Sequence, residues 1–214
     1  MLVKERMSRR PITIAPDISV HDALRIMRDE KVRRLPVLDK KGALVGIVLE
    51  KDLLYASPSP ATSLSVYEVN YLVAKIQVAD IMSHDVITVE EDCPLEEAAR
   101  IMVDNNVGGL PVMRGDRLVG MITESDLFKV FLELLGARNP GLRVTIKVPE
   151  RQGFLAQLTG ALSAQGADIV TLGTFWGDDL TSREIAFKVQ GVECGAVEQV
   201  LSDLGANVID MRTC

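Results

Sequence analysis

Apolar residues recur at the spacing of an amphipathic helix in two separate stretches of the chain. The spacing i, i+3, i+4, i+7 is followed by Val20, Ala23, Leu24 and Met27, and again by Leu95, Ala98, Ala99 and Met102. This spacing puts one apolar stripe on each helix. Short β-branched segments at 12–14 and 86–89 precede the helices and predict strands. Ser19, followed by Asp22, suits a helix N-cap in the first stretch, and Pro94 suits a helix start in the second.

The two stretches are copies of one motif. From Met7 the first reads MSRRPITIAPDISVHDALRIMRDEKVRRLPVLDKKGALVGIVLEKDL, and from Met82 the second reads MSHDVITVEEDCPLEEAARIMVDNNVGGLPVMRGDRLVGMITESDL, with roughly twenty identities. After each helix come two alternating apolar segments joined by a polar turn, which predict a hairpin. The phrase GIVLEKDL at 46–53 returns as GMITESDL at 120–127, so each copy has the predicted order β-α-β-β-α and ends with an aspartate at a strand-to-helix junction.

The C-terminal part of the chain follows a different pattern. Strands are predicted at 142–148, 169–176, 184–189 and 208–211, and helices at 153–165 and 195–204. The resulting order βαββαβ is the ferredoxin-like plan. Between the two copies a Ser- and Pro-containing break at 56–61 precedes a predicted helix that runs to about residue 77.

The two copies resemble a tandem pair of CBS domains, through the LPV at 35–37 and 110–112 and the repeated GxxxxxD phrase. The resemblance implies modules packed about a pseudo-twofold axis, with an adenine nucleotide (AMP, ADP or ATP) bound in the clefts between them. The segment VPERQGFLAQLTGALSAQGADI at 148–169 resembles an ACT domain, a module that often binds amino acids at a dimer interface. Two CBS copies followed by an ACT module resemble the AcuB-like family of acetoin-utilization proteins.

These patterns divide the chain into five parts and predict a mixed α+β and α/β fold. The parts are CBS repeat 1 (1–56), a linker helix (57–78), CBS repeat 2 (79–136), a short linker (137–141) and an ACT domain (142–214).

The strand-to-helix junction of the second copy offers a nucleotide site. The free N–H groups and dipole of a helix start favour a phosphate, to which the hydroxyl of Thr123 can donate. The carboxylate of Asp126 can accept bonds from ribose hydroxyls. The alternative is a capping pair that only starts the helix. Because the first copy has Leu49 in place of the threonine and still keeps Asp52, we favour a role beyond capping.

The CBS resemblance implies which residues share a cleft. Thr123 and Asp126 are expected to face Ile12, Thr13, Val32, Arg33 and Arg34 of the first copy. A guanidinium suits phosphate, so Arg33 and Arg34 are expected to complete this site, the alternative being a solvated basic face.

The opposite cleft is expected to combine Asp52 with Ile87, Thr88, Gly108 and Gly109. It is predicted to lack both the hydroxyl and the arginines, and to be a degraded site.

The ACT resemblance implies a ligand contact at the turn before the first helix of that module. Gln152 and Gly153 lie in this turn, where a glycine permits close backbone approach. Asp168 stands where the family often has asparagine, and a carboxylate cannot donate the amide hydrogen bonds. Ligand binding and dimerisation alone therefore both remain open for this module.

The composition of the chain argues against a membrane-spanning protein, a metal site and a nucleic-acid-binding protein. The chain has 47% hydrophobic and 25% charged residues, and no apolar run approaches the ~20 residues that span a bilayer, so a cytoplasmic protein is expected. His21 and His84 have no second His or Cys at ligand spacing, and no metal site is predicted. Residues 1–54 carry 12 Lys and Arg against 8 Asp and Glu, too small an excess to predict nucleic-acid binding.

The sequence thus predicts a regulatory sensor rather than an enzyme, because no nucleophile with a base and no phosphate-cradling glycine loop is recognised. We expect an adenine nucleotide in the CBS cleft, a homodimer and a metabolic enzyme as target. The ACT module is expected either to bind a small metabolite or amino acid or to serve in dimerisation alone. The alternative is a dimerisation scaffold that binds no ligand.

Overall fold

The computed structural model describes residues 1–56, 76–177 and 181–214. The chain divides into two compact units, Met1–Leu127 and Phe128–Cys214. Most of the predicted linker helix at 57–78 lies outside the described residues, and its last residue begins a short 3₁₀ turn, Val78–Asp80. Among the described residues, no helix has the length and apolar character needed to cross a membrane.

The first unit contains both copies of the repeated motif. The chain begins with α1 (Val3–Arg6) and β1 (Ser8–Arg9), and the first copy continues with α2 (Val20–Asp29), β2 (Arg34–Leu38), β3 (Leu44–Leu49) and α3 (Glu50–Ala56). The second copy comprises β4 (Val89–Glu90), α4 (Leu95–Asp104), β5 (Gly109–Arg114), β6 (Arg117–Thr123) and α5 (Glu124–Leu134), a helix that begins in the first unit and continues into the second. The predicted helix starts are confirmed, since Ser19 Oγ accepts the N–H of Asp22 at 3.1 Å and Pro94 is the N-cap of α4.

The two hairpins of the first unit have the same register. Val37 pairs with Gly46 in β2–β3, and Val112 pairs with Gly120 in β5–β6, with an irregularity directly after each pair. Alternate strand residues such as Leu35 point into an apolar core formed with α2. The internal repeat is therefore a repeat of structure as well as of sequence.

The predicted strands that lead each copy are shorter in the structure. In the first copy only Ile14 makes a ladder contact, a parallel bridge to Val37. The chain enters this segment through Arg10, whose φ is 54°, and leaves it through a turn at Pro16, which shortens the extended stretch. In the second copy β4 begins at Val89, so residues 86–88 of the predicted strand lie outside the strand ladder.

Each copy is completed by the segment that precedes the other copy. β1 pairs with β6 of the second copy, and the N–H of Val3 donates to the carbonyl of Cys93 at 2.9 Å. In the same way Ser83 pairs with Ile47 of the first copy, and the N–H of Val78 donates to the carbonyl of Ile18 at 2.9 Å. The two copies therefore exchange their leading segments.

The second unit has the predicted ferredoxin-like fold. Its elements are β7 (Leu142–Pro149), α6 (Phe154–Ala164), β8 (Asp168–Trp176), β9 (Ser182–Gln190), α7 (Cys194–Asp203) and β10 (Asn207–Thr213). The four strands form an antiparallel sheet in the order β10-β7-β9-β8. Alternate residues of β7 and β9, among them Ile146 and Phe187, pack against both helices in one core.

Candidate functional site

The two aspartates of the repeated phrase occupy equivalent helix starts. Asp126 Oδ2 accepts the backbone N–H of Thr123 at 3.1 Å and its hydroxyl at 2.7 Å. Asp52 Oδ2 accepts the backbone N–H of Leu49 at 3.3 Å. Each carboxylate thus caps the junction between a strand and a helix. Asp52 of the first copy does so without a hydroxyl partner.

A cleft of about 480 Å³ opens beside the junction of the first copy, at Leu49 and Glu50. It is lined by Arg33, Arg34, Ile47, Leu49, Glu50, Lys51, Ser83, Asp85, Val86, Ile87, Asn106, Val107, Gly108, Gly109 and Pro111. In the first copy these residues come from the start of β2, the end of β3 and the start of α3, and in the second copy from the leading segment and the start of β5. We call this cavity the Leu49 cleft.

The Leu49 cleft contains most of the residues that were expected in a degraded site, but one part of that expectation is wrong. Ile87, Gly108 and Gly109 line it as expected. The cleft was expected to lack arginines, and the structure places Arg33 and Arg34 on its wall. The reason is the strand register, which sets the arginine pair directly beside the end of its own hairpin partner β3.

Two residues expected in this cleft, Asp52 and Thr88, do not line it. Asp52 is turned toward the backbone of its own helix start, as described above. Thr88 is exposed and directly precedes β4. The sequence-based prediction missed five polar lining residues, namely Glu50, Lys51, Ser83, Asp85 and Asn106. Their charge and polarity are typical of any solvated surface, so the sequence alone carried no signal for them.

The arginine pair and the glycine pair occupy equivalent positions in the two copies. Arg34 faces Leu49 across its hairpin, and Gly109 faces Thr123. The carbonyl of Arg33 accepts the N–H of Glu50 at 3.0 Å, and the carbonyl of Gly108 accepts the N–H of Glu124 at 3.2 Å. Where the first copy carries two guanidinium groups, the second copy therefore carries none and leaves space.

The cleft wall has a mixed charge. Arg33 is exposed and Arg34 is half-buried, and Lys51 adds a third cation. Glu50 and Asp85 contribute two carboxylates to the same wall. Burial lowers the pKa of Arg34, and the nearby carboxylate of Glu124 opposes this shift while Arg33 adds to it. The cleft can thus offer cations to an anionic group and carboxylates to hydroxyl donors.

The residues of the other expected site are distributed differently. Thr123 is half-buried and Asp126 is 8% exposed, and they bind each other. Ile12 and Val32 pack against the apolar core of the first copy. Thr13 is exposed. Ile12 and Val32 therefore have packing roles in the structure, and Arg33 and Arg34 line the Leu49 cleft.

The second unit has a smaller cavity of about 270 Å³ at the turn that was expected to bind a ligand. Gln152 and Gly153 line it, together with Thr174 near the far end of β8. Gly153 is the N-cap of α6 with a φ of 81°, a conformation that favours glycine. Asp168 begins β8, and six residues of extended strand, roughly 20 Å, separate it from Thr174. Asp168 therefore does not line this cavity.

A charged and aromatic rim surrounds this second cavity. Arg183 forms an ion pair with Glu150 and stacks on Trp176, with its Cζ 3.8 Å from the ring centre. Arg151 lies over the ring of Phe154 at 5.4 Å. Trp176 is 59% exposed, so the rim presents a large apolar surface next to two guanidinium groups.

Comparison with known protein families gives two matches. The CBS domain family matches residues 3–59 and 78–133. The TTHA0829-like ACT domain family matches residues 140–212. The boundaries follow the repeated motif and the ferredoxin-like unit described above.

Several solved structures resemble the CBS part of the chain. The CBS domain pair of protein MJ0100, in complex with 5′-methylthioadenosine and S-adenosyl-L-methionine, is 31% identical with a TM-score of 0.52, over 65% of this chain and 98% of that one. A putative acetoin utilization protein (AcuB) from Vibrio cholerae is 31% identical with a TM-score of 0.53, over 64% and 95%. CBSX2 in complex with AMP is 30% identical with a TM-score of 0.51, over 61% and 96%.

Proposed function

Because the chain belongs to the CBS-domain family, with two CBS domains followed by a TTHA0829-like ACT domain, we propose that it is a regulatory protein that binds an adenosine-containing ligand in the Leu49 cleft. Relatives of similar fold bind AMP in one case, and 5′-methylthioadenosine and S-adenosyl-L-methionine in another. The volume of about 480 Å³ is within the range of small-molecule sites.

The observation that carries the proposal is the arginine pair on the wall of this cleft. Arg33 is exposed to the cavity and can form a bidentate contact with a phosphate, and Lys51 adds a second accessible cation. Glu50 and Asp85 can accept hydrogen bonds from ribose hydroxyls. The ligand we favour is therefore a nucleotide such as AMP, ADP or ATP.

The junction at Thr123 and Asp126, with Ile12 and Thr13, is a second proposed nucleotide cleft. Its hydroxyl and carboxylate are already hydrogen-bonded to each other, so a ligand must compete with that contact. For this reason we place the first binding event in the Leu49 cleft.

The thermal midpoint of the protein with AMP, ADP, ATP and S-adenosyl-L-methionine tests the proposal. A ligand at about a hundred times its dissociation constant adds roughly 2.7 kcal/mol to the free energy of unfolding. We expect a nucleotide to raise the midpoint, and Arg33→Gln to reduce that rise. Arg28→Gln removes the same charge from an exposed position on α2 and serves as the control.

Two other outcomes are informative. If Thr123→Val abolishes the rise and Arg33→Gln does not, the ligand binds in the second cleft. The hydrogen bonds of the aspartates to Leu49 and Thr123 show that they cap helices. If no ligand raises the midpoint, capping is their only role. The protein would then be a dimerisation scaffold, our second candidate function.

We further propose that the protein acts as a homodimer on a metabolic enzyme, by regulation and not by catalysis. For the ACT unit, the cavity at Gln152 and Gly153 supports binding of a small metabolite, and the exposed Trp176 supports an interface. Sedimentation of the protein with and without Trp176→Ala distinguishes the two roles. Dissociation of the dimer by this substitution indicates an interface at Trp176. An unchanged dimer contradicts that interface and leaves the ligand site as the proposed role of the ACT unit.

A further inference from the structure

The guanidinium of Arg34 occupies the space that the glycine pair of the second copy leaves open. A methyl group at Gly108 would overlap Nη2 of Arg34 and lie 2.7 Å from Oε2 of Glu124. A methyl group at Gly109 would lie 3.4 Å from Cζ of Arg34. Arg34 and Glu124 therefore meet over position 108, and they do so because that position has no side chain.

Arg34 and Glu124 are close enough for an electrostatic interaction. Groups that both touch one methyl position lie within about 5 Å of each other, a separation at which opposite charges stabilise each other's charged form. The pKa of Arg34 is lowered by burial, and Glu124 acts against that shift. In the protein without ligand, Glu124 thus helps to keep the half-buried guanidinium charged.

Arg34 also lines the Leu49 cleft, whereas Glu124 does not. One guanidinium therefore has a carboxylate on one side and the ligand cavity on the other. A phosphate that enters the cleft competes with Glu124 for Arg34, and an uncharged adenosine ligand does not.

We propose that Glu124 of the second copy determines how strongly the Leu49 cleft prefers anionic over uncharged adenosine ligands, by competing with the ligand phosphate for Arg34. This inference rests on the proposed nucleotide binding and adds the residue that sets its charge selectivity. Arg34 comes from the first copy and Glu124 from the first turn of α5, so occupancy of the cleft by an anion also alters the charge balance at that helix start.

Calorimetric titration with AMP and with 5′-methylthioadenosine tests the proposal. We expect Glu124→Gln to tighten AMP binding about five- to tenfold, because the competitor for Arg34 is gone, and to leave 5′-methylthioadenosine binding unchanged. In an Arg34→Gln background, Glu124→Gln should have no effect on AMP. Glu96→Gln removes an exposed carboxylate from the first turn of α4 and is the charge-matched control.

The outcomes separate this inference from the proposed function. If the wild type binds AMP and Glu124→Gln leaves the affinity unchanged or weaker, the inference is wrong and the nucleotide site stands. If Glu124→Gln tightens the binding of AMP and of 5′-methylthioadenosine equally, the effect is not competition for Arg34, and the inference is again wrong. If the wild type binds neither ligand, the proposed function fails and the inference fails with it.

Discussion

Gly46 and Gly120 are the glycines of the repeated phrase, and each lies under a methionine from the other copy's leading segment. A methyl group at Gly46 would lie 2.5 Å from Sδ of Met82 and 3.1 Å from the carbonyl oxygen of Ser83. At Gly120 it would overlap Sδ of Met7. The sulfur atoms can move, but the paired backbone cannot, so a side chain at either glycine disturbs the exchange of segments.

We therefore expect Gly120→Ala to lower the free energy of unfolding by about 1–3 kcal/mol, the usual cost of overpacking. Gly160→Ala is the control, since nothing lies within 4 Å of that position in α6. A helical alanine there should raise stability by up to about 1 kcal/mol. Urea unfolding of both variants measures the difference. Equal stability of Gly120→Ala and the wild type would contradict the packing of Met7 on this glycine.

Contacts between single residues that are distant in sequence could not be predicted. The recurrence of Gly120 at the position of Gly46 was visible, but its cause was not, because the methionine above each glycine is distant in sequence. The contact between Arg34 and Gly108 was hidden for the same reason. Both residues were predicted to be functional, yet in opposite clefts, because only the folded hairpins show that a side chain from one copy fills the gap in the other.

At the scale of elements, local patterns predicted more than long-range ones. Helices α2 and α4 follow apolar spacing and their own caps, and all information for them lies within a few residues. The strand at 12–14 depends on a single bridge to β2, and its alternation does not reveal how little of it pairs. The alternation of residues in β9 places Lys188 on the polar face of the sheet, so its side chain is expected to be exposed to solvent.

Lys188 is instead 4% exposed, because the chain after α5 covers it. Its ammonium group donates to the carbonyls of Gly136 at 3.0 Å and Asn139 at 2.8 Å. Gly136, with a φ of 56°, ends the helix, and the lysine holds the turn that follows. Lys188 therefore attaches the end of α5 to the ACT sheet by two charge-assisted hydrogen bonds.

Lys188→Met should lower the free energy of unfolding of the ACT unit by about 1–3 kcal/mol, because the buried carbonyl of Gly136 and the partly buried carbonyl of Asn139 lose their donor. Hydrogen exchange at residues 136–141 should accelerate as the turn loosens. Lys41→Met, in an exposed turn of the first copy, is the control and should change stability by less than about 0.5 kcal/mol. Unchanged exchange at 136–141 would mean that the turn is held by other contacts.

At the scale of the whole CBS pair, the exchange of leading segments makes each copy part of the other's fold. Val3 and Val78 are equivalent residues in the two exchanged segments, and both are 0% exposed. Val3 binds to the turn before α4, in the second copy, and Val78 binds to the turn before α2, in the first. Loss of either segment therefore removes backbone partners from a copy that is distant in sequence.

This arrangement predicts that the pair unfolds as one cooperative unit. Val3→Ala should cost about 1–3 kcal/mol through the cavity it creates. It should reduce hydrogen-exchange protection in β2–β3 of the first copy as much as in β5–β6 of the second, because neither copy keeps its structure without the other. Val103→Ala on α4 is the control, since Val103 is 79% exposed. Protection lost only in β5–β6 would show instead that the copies open separately, and a ligand held between them would then have to join two independent halves.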